Sequence, residues 1–202
     1  MNDIDPIELE ALETELPSLI RLRRFALGLD RLPWFANVGT TASPGVRAAA
    51  RGYMDALGFP QAELGLLIDW EEASGAAESA DWDTAAWETE ELMRAELTAR
   101  ALDTLTEDAL RLGLAFVSSQ ASAAVKAAVE ESAVLWDNFD EAAHRAAVGG
   151  AVQACHNAAL LLAASEAAPD LADEPHAFSH KFQLFEFGRW PVGLAGLTFN
   201  LF

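Results

Sequence analysis

Along most of the chain, apolar side chains recur at every third or fourth position rather than every second, which predicts helices. The clearest register is Leu110, Leu114, Val117, Ala121, Ala124 and Ala128 behind Thr106-Glu107-Asp108, and it predicts a central helix. Asp5-Pro6 pairs a capping carboxylate with a first-turn proline and predicts an opening helix that Pro17 kinks or restarts. Ser43-Pro44 predicts a helix through Leu57, stopped by Gly58 and Pro60, and Gln61 to Trp70 reads as a shorter helix. Asp83 predicts a cap for a helix to Leu105. A further helix is expected from near Asp137 to Ser165, with Gly149-Gly150 kinking it or admitting a close neighbour. Between these, Leu32 to Ser43 reads as a loop with Trp34 and Phe35 folded inward.

The end of the chain changes character. Phe178, Phe182, Leu184, Phe185 and Phe187 predict an aromatic helix, and Gly188-Arg189-Trp190-Pro191 reads as a turn in which glycine ends the helix, Trp190 is buried and proline starts an extended segment. Leu197 to Phe202 alternates in part, which predicts a short C-terminal strand or an extended strap, kept short by Pro191, Gly193 and Gly196. The fold class expected is therefore all-α: a single-domain multi-helix bundle over residues 1–202, with 168–202 an aromatic, Gly-rich extension packed on it. A tail this apolar has to be covered, by its own bundle or by a second copy in a homodimer.

Composition sharpens this picture. Apolar residues make up 51% of the chain, enough for a core, and their alanine-rich clusters favour helices packed closely through small side chains. With 13 basic and 32 acidic residues, the net charge of −19 repels phosphate backbones and anionic lipid, so neither nucleic acid nor a membrane is expected as a partner. Lys126 and Lys181 are the only lysines; high Ala and Arg suggest a GC-rich bacterial source, and the acidity would also suit a salt-adapted one. Cys155 alone permits neither an intramolecular disulfide nor a cysteine-based zinc cluster, and its setting reads as a buried small hydrophobe. The acidic N-terminus is unlike a secretory signal and the Ala158–Ala164 run is too short to span a bilayer, so a cytoplasmic protein is expected.

Two constellations carry candidate chemistry. Asp69 to Glu96 holds ten acidic residues against Arg94 alone, together with Trp70, Trp82 and Trp87. Such a stretch either presents aromatic anchors to a basic protein partner or is a solvated face whose tryptophans turn inward. The second constellation is His176-x-x-x-His180, whose imidazoles share a helical face and could hold a divalent transition metal, with His144 and, three residues before it, Glu141 as further ligands. On His144, His176 and His180 this spacing resembles the three-histidine sites of DinB-like four-helix bundles; the resemblance covers only those residues and implies a metal-dependent helical-bundle enzyme.

Other chemistries lack their signatures. A ferritin-like di-iron site needs two Glu-x-x-His motifs and the chain has only Glu141 to His144; in the helical nucleotide pyrophosphohydrolases a Glu-x-x-Asp would follow Glu88 and Glu91, whereas Glu78 to Asp81 precedes them. There is no P-loop, dinucleotide fingerprint or nucleophile elbow, and Ser118, Ser119 and Ser122 have no histidine near them in sequence. The leading expectation is a non-catalytic acidic helical protein acting through protein contacts, without a bound cofactor; the alternative is the metal-dependent enzyme.

Overall fold

The computed structural model describes residues 17–79, 84–137, 140–167 and 175–202. Six of the described helices open on a side chain that accepts a hydrogen bond from their first turn. Ser43 caps α2 (Pro44–Ala56) through Val46 N, Asp69 caps α3 (Trp70–Glu78) through Glu72 N, Thr84 caps α4 (Ala85–Ala101) through Trp87 N, and Thr106 caps α5 (Glu107–Leu135) through Ala109 N. Asp140 caps α6 (Glu141–Ala164) through two first-turn N–H groups and also accepts from Ser74 Oγ at 2.6 Å. Before them, α1 (Pro17–Gly28) runs into a 3-10 turn at Leu29–Arg31. After them comes α7 (Ala177–Glu186). The Asp5-Pro6 helix start, Asp83 and Trp82 lie outside the described residues.

Among the described residues the fold is all-α with one small sheet. The alanine-rich helices α5 and α6 pack most extensively on each other, and α1 lies across both. Ala147, Ala151 and Ala159 of α6 and Val117, Ala121 and Val125 of α5 are fully buried, because side chains this small let two backbones approach closely. By length and hydropathy α5 and α6 could each cross a membrane; here 33% and 56% of their most apolar windows are buried within the protein. Cys155 lies in this core, its thiol pushed up to about 12 by burial.

The sheet corrects one expectation. Gln61 to Trp70 is not a helix: Glu63–Leu66 is strand β1, running parallel to β3 (Thr198–Leu201), which pairs antiparallel with β2 (Pro191–Ala195). A segment as short as Gln61–Trp70 is marginal as a helix on its own, so its packing partner decides its form. The decisive partner is distant in sequence, and Gly65 lies close against it, since a Cβ there would sit 2.8 Å from the Thr198 side chain. The tail is thus both strand and strap: Phe199, Leu201 and Phe202 are fully buried, and Phe202 exchanges backbone hydrogen bonds of 2.7 and 2.9 Å with Trp190.

Gly188-Arg189-Trp190-Pro191 forms the turn expected of it. Gly188 has φ +75° and lies so close to the Leu32–Ser43 loop that a Cβ would meet the Pro33 carbonyl oxygen at 2.8 Å. In that loop Trp34 and Phe35 are buried, as expected, and both rings contact Phe185 of α7.

Candidate functional site

Helix α4 carries Trp87, Glu90, Glu91 and Arg94 at helical spacing, so all four crowd one side of it. Arg94 reaches back along this face: its guanidinium lies 5.0 Å from the Trp87 ring centre, 3.4 Å from Glu90 Oε2 and 2.6 Å from Glu91 Oε1. Glu90 is only 4% exposed, which no isolated carboxylate tolerates. Two other helices supply its partners. Tyr53 of α2 donates its hydroxyl to Glu90 Oε1 at 2.6 Å, and Lys181 of α7 donates to the same oxygen at 2.8 Å while its ammonium sits 5.4 Å from the Tyr53 ring centre.

The ionisation states follow from these contacts. Burial by itself drives the Glu90 carboxyl up, but Lys181, Tyr53 and Arg94 outweigh it and hold the group below its ordinary value. Burial, then the Glu90 charge, push the Tyr53 hydroxyl well above its ordinary range, so Tyr53 keeps its proton. At neutral pH Glu90 is therefore a carboxylate and Tyr53 a neutral phenol.

Above this cluster opens a cavity of about 610 Å³. Tyr53, Glu90 and Lys181 form part of its lining, Trp87 and Ala86 lie along α4, and Trp190 to Leu194 supply an apolar wall from the turn and β2. The remaining side is α6, where Gly149, Gly150 and Gln153 face it, with Arg145 paired to Glu141 at 3.3 Å on the exposed surface. Gly149 meets nothing within 4 Å of where a Cβ would stand, and Gly150 only the Trp190 indole nitrogen at 3.5 Å. Gly149 therefore opens onto space, Gly150 lies beside the Trp190 indole, and α6 runs unbroken through both.

The histidines are distributed differently from the metal-site expectation. His176 is the cap of α7 rather than part of its first turn, with Nδ1 accepting from Phe178 N at 3.1 Å. His180 packs its ring onto α2, where a Cβ on Gly52 would lie 2.5 Å from Nε2. His144 stands edge-on to Trp70 at 5.5 Å, and Glu141 is engaged by Arg145. Among the described residues no three His, Cys, Asp or Glu side chains gather as a metal site. The reason is topological: His180 turns onto α2 and His144 toward α3, while His176 is held at the start of its own helix against Phe178.

The tryptophans divide. Trp70 is 2% exposed and packs among Phe35, Trp190 and Phe202, so it is a core residue and not a surface anchor. Trp87 lines the cavity. Sequence reasoning missed Tyr53, Glu90 and Lys181, and also the approach of His156 Nδ1 to Ser118 Oγ at 3.4 Å across the α5–α6 interface. The available hint was Lys181, one of two lysines in the chain, on an otherwise aromatic helix. No family model matches the chain, and neither does a curated protein or a solved structure.

Proposed function

We propose that this protein is a non-catalytic binder of a small molecule with an apolar, aromatic-compatible body and a hydrogen-bond-accepting head, carboxylate or carbonyl. The supporting observation is the 610 Å³ cavity, within the size range of small-molecule sites, with aromatic walls and a few convergent polar groups. Lys181 spends one N–H on Glu90 and has further donors for a ligand head. Trp87, Trp190 and Leu194 supply apolar surface for the body. Binding rather than turnover is favoured because Glu90 is pinned as a carboxylate by three partners, which makes it a poor base.

The test is a thermal-shift and calorimetric screen of aromatic and aliphatic carboxylates and ketones against the wild type and Gly149→Leu. The leucine side chain starts in open space, so the fold is retained and helix propensity improves, while the cavity is filled. Ligands that stabilise the wild type and not the variant support the proposal. A screen without hits, or hits that bind both proteins equally, counts against it.

A second reading keeps the expected protein contacts. It is favoured by Val134 and Leu135, 70% and 79% exposed at the end of α5. Val134→Ser with Leu135→Ser should lower self-association or partner capture measured by light scattering and pull-down; unchanged behaviour argues against that reading.

A further inference from the structure

Arg189 presents an electrostatic anomaly. It is 2% exposed, yet it forms no ion pair with any described residue in a chain carrying 32 acidic residues. One guanidinium nitrogen, Nη2, donates to Thr40 Oγ1 at 2.7 Å and to the Thr41 carbonyl oxygen at 2.9 Å. Nε is buried without a hydrogen-bond partner. Burial alone depresses the group's proton affinity, and no neighbouring charge offsets it. An arginine keeps its proton in proteins, so this is a buried cation without a counter-charge.

Beside it lies a second cavity, of about 250 Å³. Its lining is Arg189, Asn37, Thr40, Thr41 and Ser43, closed by Val46 and Phe187. Apart from those last two, every side chain is a hydrogen-bonding group, and Thr40 and Asn37 are fixed in place by bonds to the Asn37 and Phe187 carbonyls at 2.8 and 2.9 Å. Ser43 is the cap of the 13-residue helix α2, so the positive end of that helix dipole adds to the same region. The buried cation, the hydroxyls and the helix terminus all favour negative charge, and no side-chain carboxylate lines the cavity to provide it.

We propose that this cavity is a binding site for a phosphate-type oxyanion, held by Arg189 with the Thr41 and Ser43 hydroxyls at the start of α2. The site is separate from the larger cavity: Arg189 and Trp190 are consecutive in an extended segment, and their side chains serve different cavities. Its residues are drawn from the Leu32–Ser43 loop and the turn after α7, so an oxyanion there ties the two together and stabilises the fold by mass action.

The experiment titrates the whole protein with inorganic phosphate, at ionic strength held constant with chloride, following Tm and heat of binding. The wild type should show saturable binding and a Tm that rises with phosphate. Ser43→Asp keeps a good helix cap and puts a carboxylate into the cavity; it should raise Tm in phosphate-free buffer and abolish the phosphate response. Arg189→Gln should also lose the response, and Ser43→Asp preserves the test if that variant does not fold. A wild type indifferent to phosphate, or a Ser43→Asp variant that responds as the wild type does, overturns the proposal. Acetate in place of phosphate tests the donor set: weaker binding supports a tetrahedral oxyanion, and equal or tighter binding rejects it.

Discussion

Removing the charge of Glu90 is expected to be the most costly conservative change in the protein. Glu90→Gln retains shape and an acceptor, so Tyr53 can still donate, but it leaves the Lys181 ammonium, whose side chain is 12% exposed, without its counter-charge. Breaking a buried ion pair on one side costs about 3–5 kcal/mol. Because Lys181 also has the Tyr53 ring and the open cavity, the lower part of that range, about 3 kcal/mol, is expected. Arg94 is not orphaned, since Glu91 remains at 2.6 Å. Glu90→Gln with Lys181→Met removes both charges and should recover most of the loss, so the cycle closed by Glu90→Gln and Lys181→Met alone should show coupling of at least about 2 kcal/mol. Urea unfolding at pH 7, with fluorescence and circular dichroism required to coincide, measures each corner. A loss below about 1 kcal/mol for Glu90→Gln, or a double variant as damaged as the sum of the singles, would refute the reasoning.

Three further outcomes are expected. Glu90 is held below its ordinary value of 4.5, so the unfolded chain binds its proton first and the cluster's stabilisation, complete above that value, is lost as pH falls below it; in acid unfolding Glu90→Gln should flatten this part of the profile, and an unchanged profile would contradict the assignment. Gly188→Ala forces a Cβ onto the Pro33 carbonyl at a positive φ, which should cost about 2 kcal/mol or more in denaturant unfolding; a cost near zero would mean the turn rearranges freely. Asn157, 1% exposed with neither side-chain amide atom hydrogen-bonded, should gain about 1–2 kcal/mol when changed to Leu, and a loss measured by the same unfolding assay would point to an internal water bonded to the amide.

Much of the fold was legible. Ser43-Pro44 and Thr106 announce helix starts through their own side chains, and the alanine register of α5 and α6 is a local periodic signal. The Gly188–Pro191 turn could be read because glycine and proline restrict the backbone wherever they occur. Strand β1 could not be read, since its hydrogen-bonding partner lies more than a hundred residues away. The same holds for the candidate site: Tyr53, Glu90 and Lys181 come from three helices, and each alone looks like an ordinary amphipathic surface position. The four-residue spacing of His176 and His180 was real, yet a shared helical face says nothing about what that face meets.

The sequence by itself determined the starts of several helices, the helical class and the burial of the aromatic tail, because these depend on interactions within a few residues or on bulk apolar content. The tertiary structure alone decided which charges meet, which tryptophans reach a cavity, and that Arg189 is buried without an acidic partner among the described residues. Charge pairing and cavity shape depend on separations of a few ångströms between elements far apart in the chain, and no local pattern encodes those distances.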